Sequence, residues 1–271
     1  MSSPLITVVI PAYNRGKLIS QAIQSVLSQR TTVPWKLLII DDGSTDDTVQ
    51  KIRSFLPDER IQFIQLKENR GISQVLNTAL EHIDTPYFVQ LDSDDCLTRD
   101  ALEELSKAID QADPNTALFY GNMYILRQTK RGAKVVRYFR HREFKDKYDF
   151  LQYLTYMLHP RMYRTEAVRE VGGWDTDDPF QGRVMEDRRI CLKLIERYPA
   201  YWIDKPLYFL RKHKSQLTNR KNISKRNYLR KKIIQHYLKK WGDKYRPVFT
   251  YRHGLLVIKK LVKKKKGRRN E

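Results

Sequence analysis

Cysteine is scarce in this chain: Cys96 and Cys191 are the two thiols among 271 residues. Two are too few for a disulfide framework, and a reducing compartment is the simpler setting. No stretch approaches the roughly 18 consecutive apolar residues of a membrane-spanning helix. The opening MSSPLITVVIPAYNR lacks the basic region and long apolar core of a signal peptide and reads as a first strand. Phosphate loops of the GxxxxGK[ST] or GxGxxG kind are missing. Neither DDGSTDDT nor DSDDCLTRD carries the glycine and glutamate spacing of an EF-hand loop. Internal repeats are absent.

Acid is missing from one end. Residues 211–271 hold 23 Lys and Arg against Asp243 and Glu271, whereas residues 1–210 balance at 29 of each sign. The net charge of +21 therefore belongs to a C-terminal arm. At 41% hydrophobic and 31% charged residues, the composition is that of a folded protein with a sizeable core.

What is present is a rhythm. LITVVI and KLLII are β-branched and aliphatic runs, as expected of strands buried on both faces, and IQFIQL and YFVQL read as a third and a fourth strand. Between them apolar residues recur at helical spacing: Ile19, Ala22, Ile23 and Val26 in one segment, Ile72, Val75, Leu76 and Ala79 in another. ALFYG at 117–121 predicts a fifth strand. Strands alternating with helices imply βαβ crossovers and a mostly parallel sheet. Ligands of such sheets bind beyond the carboxyl ends of the strands, and PAYNR, DDGS, NRG and DSDD all fall there. After residue 121 the rhythm breaks. A hairpin or long excursion is expected over 122–140, short helices at 148–157 and 165–171, a turn at VGGWD and an amphipathic helix in MEDRRICLKLIERY. YWI and LYFL read as short strands, and the arm from about 222 onward as helical.

In FVQLDSDDCL, Asp92, Asp94 and Asp95 crowd together at a strand end. Like charges so placed raise one another's pKa values. A hard divalent cation, Mg²⁺ or Mn²⁺, relieves that repulsion and bridges to a phosphorylated ligand. A polar turn capping the helix near Thr98 is the plainer alternative. A phosphatase of the haloacid dehalogenase type also places DxD after a buried strand, and would form an aspartyl-phosphate at Asp92.

Taken together, ITVVIPAYNR, LLIIDDGSTDDT, ENRGIS with Asn77, VQLDSDD and the ED pair at 186–187 resemble, in order and spacing, the family 2 glycosyltransferases of GT-A fold. The resemblance spans roughly residues 5–213. It implies an α/β, Rossmann-like central sheet flanked by helices, with a C-terminal basic helical arm. The domain would run over 1–213, with a nucleotide-sugar-binding half at 1–121 and an acceptor-side half at 122–213, followed by a basic helical extension at 214–271.

The resemblance also implies roles. Pro11, Ala12 and Tyr13 look like the turn that holds the nucleotide base, with Tyr13 available for stacking. Asp42 looks like the acceptor of the uridine N3–H, while Asp41 orients the turn. Asn69 and Gly71 look like part of the base and ribose pocket, and Asp92, with Ser93 beside it, like a nucleotide partner. Asp94 looks like the ligand of Mn²⁺ or Mg²⁺, with Asp95 either reaching the ion or standing behind it. Asp187 falls at the position of the general base of an inverting displacement, with Glu186 raising its pKa or positioning the acceptor. Trp174 resembles a position lining the acceptor side, although a core tryptophan fits equally. His213, after the last strand, resembles a histidine that approaches the metal or diphosphate; it equally fits the start of the solvated arm. The chain departs from the family pattern at Leu76, where many members carry Arg or Lys. Arg188 and Arg189 do not form the QxxRW of processive synthases, so transfer of a single sugar is expected.

The implied reaction moves one hexosyl unit from a nucleotide-diphosphate sugar, a UDP-sugar by the Asp42 assignment, to a glycan or lipid-linked acceptor of the cell envelope. The implied location is cytoplasmic, peripheral on the inner membrane face, with residues 214–271 meeting anionic lipid. Nucleic acid is the weaker candidate for that arm, since no base-reading motif accompanies it. A non-catalytic nucleotide- or nucleic-acid-binding module with the same fold is the remaining alternative.

Overall fold

The computed structural model describes residues 5–129, 132–212 and 223–264. They form two compact units: 5–143 with 158–212, and 144–157 with 223–264.

The first unit is built on β1 (Ile6–Ala12), β2 (Trp35–Asp41), β3 (Ile61–Gln65) and β4 (Tyr87–Gln90). They pair in parallel in the order β3-β2-β1-β4. β1 is buried along its whole length. Each fully buried Val or Ile there stabilises the sheet by roughly 1.5–3 kcal/mol, which is why these runs do not alternate with polar residues. The crossovers are α1 (Ile19–Leu27), α2 (Thr48–Arg53) and α3 (Ile72–His82), whose buried residues recur at helical spacing as the sequence predicts.

Beyond β4 the sheet continues, but not in chain order. After β5 (Cys96–Leu97) and α4 (Ala101–Gln111) comes β6 (Leu118–Thr129), which folds back through β7 (Gly132–Phe139). The expected fifth strand and hairpin are therefore one long ribbon. The neighbour of β4 is instead β8 (Arg161–Arg164), antiparallel to both β4 and β6. After α5 (Lys147–Tyr153), α6 (Thr165–Glu170) and α7 (Glu186–Ile195), β9 (Ala200–Lys212) runs parallel to β6 and antiparallel to β5. YWI and LYFL are thus one strand. Its pairing shifts around Pro206, which has no N–H to give to the ladder.

The VGGWD turn is held from α3. Asn77 donates from Nδ2 to the Trp174 carbonyl and accepts at Oδ1 from the Trp174 N–H, both at 2.8 Å. Gly172 and Gly173 sit at φ 75° and 60°, in the left-handed region that favours glycine. Trp174 is buried against Phe88 and Tyr163 at ring distances of 6.1 and 6.0 Å. It is a core residue and lines no open surface.

Among its described residues the C-terminal extension is helical only over α8 (Ile223–Lys240). It continues into an antiparallel hairpin, β10 (Tyr245–Arg252) and β11 (Leu255–Lys263). The reason is local: His253 and Gly254, at φ 50° and 80°, form a two-residue turn with positive φ at both positions, matching the twist of a hairpin. Leu229, Ile233, Ile234, Tyr237 and Leu238 of α8 are buried, and Asn227 and Arg230 bond the backbone of β11 at Leu256. Tyr148 of α5 packs edge-on to Trp241 and Tyr245, so 144–157 belongs to this unit and not to the acceptor-side half. Among the described residues no helix is long and apolar enough to cross a membrane.

Asn77→Ala should cost about 2 kcal/mol by leaving the Trp174 N–H and carbonyl without their partners, read as a lower denaturant midpoint. An unchanged midpoint would show that the turn holds without Asn77.

Candidate active site

The carboxyl ends of β1 and β2 are laced together before any ligand is considered. The Asn14 N–H donates to Ser44 Oγ, the Thr45 N–H to Asn14 Oδ1 and the Arg15 N–H to Thr48 Oγ1. Asp41, fully buried, accepts the Ser44 N–H at 2.9 Å and so orients the DDGS turn, as expected of it. Pro11 and Ala12 are strand residues opposite Ile40 and Asp41, with buried side chains, and not a turn. Only Tyr13 of that trio stands open, 41% exposed, as a stacking surface requires.

Asp42 is caged. Its carboxylate accepts from Asn69 Nδ2 at 2.9 Å, the Arg70 N–H at 2.7 Å and the Gly71 N–H at 2.9 Å. Burial pushes its pKa up, against the pull of the Arg70 and Gly71 N–H groups and the nearby Arg183 charge. The NRG turn is therefore shaped by Asp42. Gly71, at φ 90°, leaves room for the Arg183 side chain, which a Cβ would meet at 2.9 Å.

The DSDD segment divides its carboxylates among different tasks. Asp95 is buried: Oδ2 accepts from the Tyr208 hydroxyl at 2.9 Å and Oδ1 from the Arg211 N–H at 2.7 Å. Burial raises its pKa well above the usual carboxylate range, and the charges of Asp94 and Asp92 add to that. Asp95 thus ties its loop to β9 and stands behind the edge. The Tyr208 hydroxyl also accepts the Asp92 N–H at 3.3 Å. Ser93 is buried between them. Asp92 is part-exposed and paired with Arg161 Nη2 at 3.3 Å. Its pKa is raised by burial, opposed by Arg161, and raised further by Asp94 and Asp187. Asp94 reaches the surface beside Arg15, whose Nε lies 3.5 Å from Oδ2.

Glu186 and Asp187 open α7. Asp187 is 2% exposed, and both its oxygens accept from Arg188 Nη1, Oδ2 at 2.9 Å and Oδ1 at 3.1 Å. Half-buried Glu186 carries the large shift: burial and then the charge of Asp187 push its pKa up to about 8. The charge of Asp187 thus acts on Glu186, as like charges so close must. Burial and the neighbouring charge thus favour the protonated form of Glu186.

Arg161, 1% exposed on β8, stands among these acids. It contacts Asp92 and donates from Nη1 to the Leu158 carbonyl at 3.1 Å, and it lies within electrostatic reach of Asp187. Its importance is not visible in HPRMYR, where it is one arginine among several. Tyr208 and Arg15 escape notice for the same reason, since their partners are far along the chain. Leu76, at the position often basic, is buried on α3. His213 lies outside the described residues.

Among the described residues no three His, Cys, Asp or Glu side chains converge as a ready-made metal cage. The donor set nonetheless suits Mg²⁺ or Mn²⁺, which bind through one or two carboxylates and fill their shells with water and phosphate oxygens. Asp94 is the carboxylate so placed, with Asp92 beside it.

Comparison with known proteins identifies the family and the fold. The model of "Glycosyl transferase family 2" matches residues 7–172. The putative teichuronic acid biosynthesis glycosyltransferase TuaG of Bacillus subtilis is 39% identical over 102 residues, 37% of this chain and 40% of TuaG. WfgD of Escherichia coli, a UDP-Glc:alpha-D-GlcNAc-diphosphoundecaprenol beta-1,3-glucosyltransferase, is 34% identical over 137 residues, 50% of this chain and 52% of WfgD. The chain thus spans about half or less of these relatives. Among solved structures, S. aureus TarS 1-349 in complex with UDP-GlcNAc shares the fold with a TM-score of 0.62 at 19% identity, over 78% of this chain and 60% of that one. The mannosyltransferase PcManGT of Pyrobaculum calidifontis, in complex with GDP-Man and Mn²⁺, does so with 0.59 at 20% identity, over 89% and 65%.

The Glu186 shift has a definite sign. Its folded pKa of about 8 lies above the ordinary 4.5, so the native state binds the proton more tightly. That contribution is fully present below pH 4.5 and is lost as pH rises to about 8. At most it changes by about 1.4 kcal/mol per pH unit in that window. Subtracting the pH–stability curve of Glu186→Gln from that of wild type should leave this fall. A flat difference would contradict the buried, charge-opposed setting of Glu186.

Proposed function

The chain belongs to glycosyl transferase family 2, and from that premise we propose that it transfers a single hexosyl unit from a UDP-sugar to an acceptor hydroxyl in cell-surface glycan synthesis. The observation that carries the reading is the convergence at one sheet edge of the Asp42 turn, the Asp92–Asp94 pair and the Glu186–Asp187 pair, with Asp92 and Asp187 close enough to shift each other's field. The nucleotide-bound relatives of the same fold, and the envelope-glycan relatives in sequence, support it.

Tyr13 offers its face to the base, and Asp42 with the Asn69–Gly71 turn offers the polar contacts. Asp92, steadied by Arg161, faces the ribose. Asp94 holds Mn²⁺ or Mg²⁺, and a bound divalent cation supplies positive charge against the diphosphate leaving group. Asp187 takes the proton of the acceptor hydroxyl. The acceptor oxygen bonds to the anomeric carbon as the bond from that carbon to the diphosphate oxygen breaks on the opposite face, which inverts the configuration. Uridine diphosphate leaves with the electron pair. Arg188 holds the Asp187 carboxylate in place through a contact to both of its oxygens.

The phosphatase alternative loses its ground, since Asp92 is engaged by Arg161 and the family match covers the motif. For location, we place the enzyme at the cytoplasmic membrane face. The outward side of α8 carries exposed Lys225, Lys231, Lys232, Lys239 and Lys240, and the helix has no acidic residue. Anionic lipid attracts such a face by about 1 kcal/mol per basic residue.

Calorimetric titration with UDP, with and without Mn²⁺, tests the reading on wild type and Asp94→Ala. The expected result is metal-dependent binding that Asp94→Ala abolishes. Absence of binding in wild type with Mn²⁺ would overturn the UDP-sugar assignment.

A further inference from the structure

Behind the active edge lies a polar side chain that the mechanism does not use. His159, just ahead of β8, is fully buried. Its ring lies flat against that of Tyr208, with centroids 4.4 Å apart and an interplanar angle of 19°. Arg161 Nη1 lies 3.5 Å from Nδ1 of the same imidazole. A guanidinium can only donate, so Nδ1 carries the lone pair and the proton belongs on Nε2. Burial, and then the charges of Arg161, His141 and Arg188, push the His159 pKa well below its ordinary value, in keeping with a neutral ring. Nε2 is itself buried and meets no hydrogen-bonding partner among the described residues. A buried donor left unmet lowers stability, and a phenyl ring in the same place would avoid that loss.

The two groups that this imidazole touches are the two that hold Asp92. Arg161 reaches the Asp92 carboxylate from Nη2 at 3.3 Å. The Tyr208 hydroxyl accepts the Asp92 N–H at 3.3 Å and donates to Asp95 Oδ2 at 2.9 Å. We infer that His159 is a positioning residue for Asp92, acting through Arg161 on its carboxylate and through Tyr208 on its backbone. The flat face of the imidazole fixes the plane of the Tyr208 ring and so the direction of its hydroxyl. The Nδ1 lone pair takes one Nη1 hydrogen while the Leu158 carbonyl, at 3.1 Å, takes the other, and Nη2 is left turned toward Asp92. A phenyl ring would supply the first contact and not the second, which separates this role from core packing. The inference rests on the nucleotide-sugar reading above. It adds that a residue remote from the donor sets how Asp92 is presented to it.

The test is calorimetric titration of the full chain with UDP, in Mn²⁺, for wild type, His159→Phe and His159→Asn, with a melting curve for each. Phenylalanine keeps a ring against Tyr208 and removes both the Nδ1 acceptor and the unmet N–H. Asparagine keeps an acceptor oxygen close to the place of Nδ1 and removes the ring. His159→Phe should melt no lower than wild type and yet bind UDP about tenfold more weakly, the scale of one hydrogen bond to a charged group. His159→Asn should melt lower than His159→Phe and still bind UDP more tightly. Unchanged affinity in His159→Phe overturns the inference. Affinity that falls in step with melting temperature across the two variants also overturns it, since His159 is then packing alone. Nitrogen NMR of wild type without nucleotide reads the Arg161 contact independently: Nδ1 should be the unprotonated ring nitrogen, and a proton there overturns the inference. Failure of wild type to bind UDP sinks the nucleotide-sugar reading and this role with it; failure of the inference alone shows only in the variants and the nitrogen spectrum.

Discussion

The acids at the ends of β4 and α7 share one buried counter-charge. Arg161 stands on the antiparallel strand β8, inserted beside β4, and its guanidinium meets Asp92 while answering the charge of Asp187. Without it, the carboxylates at the ends of β4 and α7 would face one another across a poorly solvated space. Leaving buried charge uncompensated costs several kcal/mol. The nonlocal strand order thus has an electrostatic consequence: it brings in the counter-charge that lets acids accumulate at one end of a sheet.

The acids are then differentiated by their partners. Asp95 is spent on Tyr208 and the Arg211 backbone and Asp41 on the DDGS turn, while Asp42 shapes the NRG turn. Those that remain near the surface are Asp94, beside Arg15, and part-exposed Asp92. Within the Glu186–Asp187 pair, burial and the charge of Asp187 push Glu186 toward the neutral form. A run of like residues in sequence has become a graded set in space, some building the loops and some presented at the edge.

How far this was legible in the sequence depended on whether the information was local. Buried strands announce themselves by apolar runs, and α1 and α3 by apolar spacing, because each reflects burial of that segment alone. The motif loops were legible for the same reason, and Asp41 was rightly read as orienting its turn. Arg161 and Tyr208 were not legible, since each matters through a partner more than 60 residues away. Trp174, open to two readings, fell on the core side because Phe88 and Tyr163 pack around it. The C-terminal hairpin was missed although its signal was present: His253–Gly254 between two apolar, β-branched runs is a hairpin turn, and the surrounding lysines hid it behind a helical reading.

The central claim is that Asp187 activates an acceptor to attack the sugar from the face opposite the departing diphosphate. The most direct measurement is early-time proton NMR of the sugar released when the enzyme, with Mn²⁺, hydrolyses an α-linked UDP-hexose that it binds, water serving as acceptor. The account predicts that the β-anomer appears first, before mutarotation mixes the two. Initial release of the α-anomer would contradict single displacement and the role assigned to Asp187.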